Sequence, residues 1–314
     1  MLNELLEITI LVSILGAAIR IATPLILSAM GELVIHRAGI LNLGVEGSLL
    51  MGAFTGFLVA EQTGSSGLAL IAAMVSGGLM SLLLVFMSTT LKINQTVAGL
   101  SLNLFASGFT LYLYRTIYAE FNPSEIPMIT IFKIIKIPFL SQIPFLGEIL
   151  FSQQALTYLA FIMVPVVAFF LYRSRHGLII RSIGENPRAA DMQGRKVGLY
   201  QYLGVIFGGM MSGLGGSFLT LGASAKFVPD ISAGRGWLVL VIIIAGNWKP
   251  ARILAAALFF AFLDAVQLQI QGVGVQIPYQ YLLMIPYIFA IVAVMGSKTK
   301  GLRPGHLGMP YHRE

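Results

Sequence analysis

Five ionisable residues stand inside long apolar runs: Arg20, Glu32, Glu46, Arg235 and Asp264. Each costs about 2.5–3.5 kcal/mol at the middle of a membrane helix, so each needs a reason to be there. Asp264 lies deepest, in ALFFAFLDAVQLQIQ, with Gln267 and Gln271 following on the same helical face. Two chemistries fit. Asp264, Gln267 and Glu46 can line a polar path, or the charges can be spent on buried pairs such as Arg20 with Asp264 or Arg235 with Glu46. Asn103, close to Ser101, Phe105 and Ser107, adds amide, aromatic and hydroxyl groups to a further apolar run. Such groups suit a polar, uncharged solute. A proton relay would need more acids and histidines than the chain supplies.

Other chemistry is poorly provided for. There are no cysteines, which excludes disulfides, thiol catalysis and Cys-based metal sites. His36, His176, His306 and His312 are scattered, without metal-ligand spacing. GxSxG, HExxH and paired acids at catalytic spacing are all missing, so no residue is assigned a catalytic or metal-binding role and an intramembrane enzyme is disfavoured.

The elements that must position these residues are membrane helices. Of 314 residues, 57% are hydrophobic and only 11% charged, and the mean hydropathy is +0.85. Many apolar runs approach the ~20 residues that cross a ~30 Å hydrocarbon core. The ~10-residue alternation of a β-barrel is absent. The expected fold is an all-α, polytopic transmembrane bundle of 8–10 spans forming a single domain over residues 1–314. Nine runs stand out: roughly 6–30, 44–60, 68–90, 95–115, 154–172, 198–221, 232–247, 252–271 and 279–296. The N-terminus, acidic at Glu4 and Glu7, reads as the start of the first span, not a cleaved signal peptide.

The net charge of +7 records topology; it does not point to nucleic acid. Segment 173–196 nets +4, the tail after Gly296 nets +3 through Lys298, Lys300, Arg303 and Arg313 against Glu314, and the turn NWKPAR holds Lys249 and Arg252. These three belong on the cytoplasmic side. The long loop 116–153 nets −1, from Lys133 and Lys136 against Glu120, Glu125 and Glu148, and EQTGSSG carries Glu61 alone; both fit the outer side. Four prolines and many aliphatics in the long loop suggest a short amphipathic element, acting as a cap over span ends or as a dock for an external partner. Segment 31–44 is either a plain cytoplasmic turn or part of a broken, re-entrant element. Non-helical backbone survives at that depth only when buried in protein or lining a water-filled cavity.

Glycine is dense in GVIFGGMMSGLGGSFLTLG, residues 204–222. Small residues let helix backbones approach one another in lipid. Tight packing within the chain is the favoured reading over a dimer seam, and a movable or broken helix is a further consequence, since each Gly costs up to ~1 kcal/mol relative to Ala.

The polar stretch RSIGENPRAADMQGRKVG, residues 181–198, is written as a tiny helix. Asn186 is a good N-cap, Pro187 sits at the favoured first position, and Gly194 supplies a stop. The helix should run over 187–193 and face the cytoplasm, with Ala189 and Ala190 forming a smooth surface between the charged handles Glu185, Arg188 and Asp191.

Here a resemblance enters. GENPRAADMQG followed by a Gly-rich span resembles the cytoplasmic coupling helix of permease subunits of ATP-binding cassette (ABC) importers, in the branch serving nucleosides, simple sugars and, more distantly, branched-chain amino acids. GELVIHRAGILNLGVEGSLLMGAF at 31–54, SAGRGWLVLVIIIAGNWKP at 232–250 and PYQYLLMIPY at 278–287 are similar to further segments of that family, in its order. NLGVEG most resembles the nucleoside-type members. The departures are Trp237, where Phe is common, and Arg195–Lys196 after Gly194.

The resemblance implies a pore-forming subunit in the cytoplasmic membrane of a prokaryote. It would pair with a homologous permease or a second copy of itself, and with an extracytoplasmic binding lipoprotein. A cytoplasmic ATPase would grip Glu185, Asn186, Pro187, Arg188, Ala189, Ala190, Asp191 and Gly194, within a coupling loop of about 173–197. Solute would pass Asn42, Glu46, Asn103, Phe105, Asp264 and Gln267 by alternating access. The chain has no G-x-x-x-x-G-K-[ST] phosphate loop, so ATP and Mg²⁺ would be bound by the partner ATPase and no cofactor by this chain. A stand-alone transporter coupled to protons or sodium is the competing expectation, weakened by the scarcity of intramembrane acids.

Overall fold

Backbone N–H and C=O groups inside hydrocarbon must be paired within the chain, and long apolar runs meet that demand as helices. The computed structural model describes residues 2–119, 127–272, 279–296 and 303–312. The chain order is α1 (Leu2–Arg37), α2 (Val45–Thr63), α3 (Ser66–Val85), α4 (Gln95–Ile117), a two-stranded hairpin of β1 (Ile134–Lys136) and β2 (Ser152–Gln154) enclosing α5 (Leu146–Leu150), then α6 (Ala155–Arg173), α7 (Arg175–Glu185), α8 (Pro187–Met192), α9 (Val197–Phe218), α10 (Arg235–Ala245), α11 (Pro250–Gly272) and α12 (Tyr279–Gly296). Among the described residues six helices are long and apolar enough to cross a membrane: Ile10–Arg37, Ser66–Thr90, Gln95–Ile117, Ala155–Arg173, Val197–Ser224 and Pro250–Gly272. The all-α polytopic bundle is as expected.

Three of the nine expected spans are not among these six. One, 279–296, is helical throughout as α12, with Met284–Met295 as its shorter apolar stretch. The run at 44–60 is helical in α2, which is largely shielded by protein and carries Glu46 and Glu61 near its ends. The run at 232–247 is helical only from Arg235, so α10 has 11 residues and rises about 16 Å, half the hydrocarbon thickness.

α9 sits at the centre against α1, α2 and α3, and its glycines make the contacts. A Cβ on Gly216 would fall 1.9 Å from the Leu49 carbonyl oxygen, one on Gly213 2.1 Å from that of Ala73, and one on Gly208 2.8 Å from that of Gly31. The glycine run therefore serves packing within the chain. α9 is not broken at it; the irregularity comes afterwards, in a wide π turn at Leu219–Ser224.

The two ends of the bundle differ as the charge pattern requires. Coupling segment, NWKPAR turn and C-terminal tail meet at one end. The other end holds the hairpin and the α2–α3 turn, where Tyr118 donates to Glu61 Oε2 at 2.8 Å. Burial, then the bond to Glu61, raises the Tyr118 pKa far above its usual value. The hairpin exposes Ile134, Phe139, Leu140 and Phe145, as an amphipathic surface element would. Glu120, Glu125, Pro278, Lys298, Lys300, Arg313 and Glu314 lie outside the described residues, as do the side chains of Glu4 and Glu7.

Candidate solute pathway and coupling helix

α1 stops at Arg37, Gly39 turns the chain with φ +85°, and residues 38–44 then run without helix to the start of α2. This stretch is enclosed in protein: Ala38 and Ile40 are buried, and Asn42 is 1% exposed. Segment 31–44 is thus a helix end plus an unwound stretch of backbone, with its turn at Gly39 packed on Gly184 and the tail at the basic end. Polar side chains brace it. Asn42 Nδ2 donates to Glu32 Oε2 at 2.9 Å, and its Oδ1 accepts from Gly44 N at 2.7 Å. Asn103 accepts from Gly47 N at 2.8 Å and donates to the Leu43 carbonyl at 2.5 Å. Glu32 Oε1 lies 3.2 Å from His36 Nε2, and His36 Nδ1 accepts from Trp248 Nε1 at 3.0 Å.

α10 begins inside the bundle, and Glu46 caps it across space. The carboxylate accepts from Gly234 N at 2.8 Å and Gly236 N at 2.5 Å. A carboxylate at a helix N-terminus satisfies orphan N–H groups and meets the positive end of the helix dipole. Gly236 is required there, because a Cβ would lie 2.5 Å from Glu46 N, and Gly234 has φ +80°. The far side of the same turn faces a cavity of about 190 Å³ lined by Arg235, Asp264, Gln267 and Tyr287. Arg235 also lines a neighbouring cavity of about 290 Å³ together with Arg20.

Asn42, Glu46 and Asn103 therefore form one group, and Asp264 and Gln267 a second, with the Gly234–Gly236 turn between them. Phe105 belongs to neither; it is 49% exposed and stacks on Phe109 at 5.3 Å between centroids. Neither expected ion pair forms. Glu46 spends its charge on backbone amides, and Arg235 Nη1 donates to the Ile231 and Ser232 carbonyls, both at 3.2 Å.

At the basic end, α8 has the expected caps. Asn186 Oδ1 accepts from Ala189 N at 3.0 Å, Pro187 is the first residue, and Gly194 has φ +75°. The helix ends at Met192, one residue short of the expected 193. Only Ala189 of the two alanines faces outward; Ala190 is buried against Ile183 and Val197. The outward surface is made by Arg188, Ala189 and Met192, the last 82% exposed.

Three features had not been anticipated. Residues 175–185, taken as loop, form α7, capped by Ser174, which accepts from Gly177 N at 2.9 Å. The signal was present: Ile179, Ile180 and Ile183 fall on one face. Second, α7 rests on the end of α1, where a Cβ on Gly184 would lie 2.3 Å from the Arg37 carbonyl oxygen, and Arg37 lies 3.7 Å from Glu185. Third, the tail straps this unit. Gly305 N donates to Glu185 Oε2 at 3.0 Å, His306 N to the Gly184 carbonyl at 2.8 Å, and Tyr311 Oη to Asp191 Oδ2 at 2.9 Å. Burial lowers the His306 pKa below its ordinary value. Glu185 and Asp191 are thus held by the chain itself.

A membrane bundle with an unwound stretch and a half-length helix meeting at one acid, and a capped helix outside, is a translocating subunit of the discontinuous-helix kind. Comparison with known proteins gives the family. The chain belongs to the permease components of the branched-chain amino acid transport system family, whose model matches residues 14–294. It is 36% identical to a putative glucose ABC transporter permease protein of Haloferax volcanii, covering 96% of this chain and 98% of that one. Identity is also 36% to a guanosine ABC transporter permease protein of Bacillus subtilis, over 97% and 98%, and 31% to a nucleoside ABC transporter permease protein of Lactococcus lactis, over 92% and 93%. No solved structure is significantly similar to it. The chain is a multi-pass membrane protein and the permease subunit of an ABC transporter.

Proposed function

We propose that the subunit imports a nucleoside or a related simple sugar by alternating access, powered by a separate ATPase that grips α8. The observation that carries the reading is α8 itself, a two-turn helix capped at both ends that presents Arg188, Ala189 and Met192 at the basic end of the bundle. ATP and Mg²⁺ belong to the ATPase, and this chain binds no cofactor. A second permease chain, homologous or identical, completes the pore in the cytoplasmic membrane of a prokaryote. An extracytoplasmic binding lipoprotein delivers solute to the hairpin end. The relatives' names support nucleosides and sugars as the class, and the amide of Gln267, which lines the cavity beside Arg235 and Asp264, suits a hydroxyl-rich solute. Glu46 and the Gly234–Gly236 turn form the junction where two bundle halves rock past each other.

Uptake of labelled guanosine, adenosine and glucose into proteoliposomes holding the permease pair and its ATPase, with binding protein outside, tests this. ATP-dependent uptake that survives an uncoupler is expected. Uptake that proceeds without the ATPase, or collapses with the proton gradient, refutes it.

A further inference from the structure

The basic end contains a cavity of about 410 Å³, apart from the residues assigned to the solute pathway. That size falls within the ~300–1,000 Å³ range of small-molecule sites. It lies between the start of α4, α8, the start of α9 and the tail, and Thr89, Lys92, Gln95, Asp191, Lys196 and Tyr311 are among its walls. Its polar groups are mostly donors. Gln95 is 1% exposed; its Oε1 accepts from Leu41 N at 2.7 Å, while its Nε2 is buried with no partner. A buried amide N–H₂ without an acceptor implies a missing one. α9, 22 residues long, opens at Val197 and Gly198 with no side chain capping its first turn, so its orphan N–H groups and positive dipole end serve the same space. Lys92 and Lys196 add two ammonium groups. The one carboxylate in the wall, Asp191, accepts from the Tyr311 hydroxyl.

Donors from four directions around a space of this size call for a polyvalent oxyanion. We propose that this cavity binds a phosphate group between Gln95, Lys92, Lys196 and the first turn of α9. The group can be carried by a soluble phosphomonoester or by a phospholipid headgroup. A ligand there bridges α8, α9 and the tail, so it is placed to report on the coupling helix.

The test uses the full chain in phosphatidylcholine nanodiscs, with thermal stability followed against inorganic phosphate and adenosine 5′-monophosphate. Saturable stabilisation is expected. Gln95→Glu keeps the acceptor for Leu41 N but puts a negative charge in the cavity, and should weaken binding about tenfold or more. Lys196→Ala, at an exposed position that cannot compromise folding, should weaken it about threefold or more. Lys249→Ala, remote from the cavity, should change nothing. If phosphatidylglycerol in the nanodisc removes the response to both soluble probes, the occupant is a headgroup; if the response persists, it is a soluble phosphomonoester. Absence of saturable binding in either lipid, or binding indifferent to both Gln95→Glu and Lys196→Ala, overturns the proposal.

Discussion

Replacing Glu46 by Gln tests the junction at the centre of the subunit. The carboxylate takes two backbone N–H groups, from Gly234 at 2.8 Å and Gly236 at 2.5 Å. Gln keeps one acceptor oxygen and turns an amide N–H₂ toward the other donor. One charge-assisted hydrogen bond is lost, about 1.5–3 kcal/mol. The favourable meeting of an anion with the α10 N-terminus goes too, about 0.3–1 kcal/mol and up to ~2 when partly buried. The loss is then about 2–4 kcal/mol, roughly 30- to 1,000-fold in any equilibrium that needs α10 seated. No neighbouring group can compensate, because even a Cβ on Gly236 would stand 2.7 Å from Glu46 Oε2. Thermal unfolding of the purified chain and uptake by the reconstituted complex should both fall, and Glu46→Asp, which keeps the charge at shorter reach, should recover part of each. Wild-type melting and uptake in Glu46→Gln would refute the capping argument. Wild-type melting with abolished uptake would instead make Glu46 a solute ligand.

Three further outcomes are expected. Met192→Glu should leave melting of the isolated permease unchanged yet reduce ATPase assembly about 10-fold or more in pull-down titration, since burying a Met side chain in a partner groove contributes about 1.5–3 kcal/mol. Gly213→Ala forces a methyl group to 2.1 Å from the Ala73 carbonyl oxygen and should cost about 1–3 kcal/mol or more by overpacking, whereas Gly108→Ala, with nothing within 4 Å, should be neutral or slightly stabilising by melting temperature. Burial lowers the folded pKa of His306 below the ordinary imidazole value of about 6.5; the unfolded tail therefore binds its proton first, so docking is at full strength above that value and weakens as pH falls through it toward the folded pKa. A single label at Met309→Cys, in a chain with no other cysteine, should become more mobile between pH 7.5 and about 5.5, and His306→Leu should remove that change.

Much of this was legible in the residues because the bilayer leaves so few options. Apolar length gave the helices, Lys and Arg gave the two ends, and Asn186-Pro187 with Gly194 wrote the caps of α8 in local chemistry alone. What failed to show was whatever depended on partners distant in sequence. Hydropathy cannot tell a helix facing lipid from one wrapped in protein, so the burial of α2 was not visible. It cannot see that Gly234, with positive φ, holds back the start of α10 to Arg235 and leaves a helix of 11 residues, about half a membrane thickness long. Pairing of buried charges was equally hidden. Arg235 and Glu46 looked like an ion pair by sign, yet each found backbone groups instead, since a carboxylate satisfied by oriented amides needs no cation. α7 was missed for a different reason: its charges marked it as loop, and its isoleucine face was outvoted.

A chain of contacts joins α8 to the junction at Glu46. α7 and α8 move together, sharing Ile183 and Ala190 in one small core. α7 rests on the end of α1 through Gly184 against the Arg37 carbonyl, and through Glu185 beside Arg37 at 3.7 Å. One turn further along α1, Glu32 holds Asn42 in the unwound stretch, and that stretch leads within four residues to Glu46 and the start of α10. The same Arg37 donates to the Trp248 carbonyl at 3.0 Å, beyond the other end of α10, and the indole of Trp248 reaches back to His36. α10 is thus gripped at both ends by groups that answer to α1. A pull on α8 reaches α1 directly, and α1 cannot tilt without carrying one end of α10 or parting from it. The Glu32–Asn42 and His36–Trp248 links are buried and directional, so they yield in discrete steps more readily than by stretching, which is what a two-state gate requires.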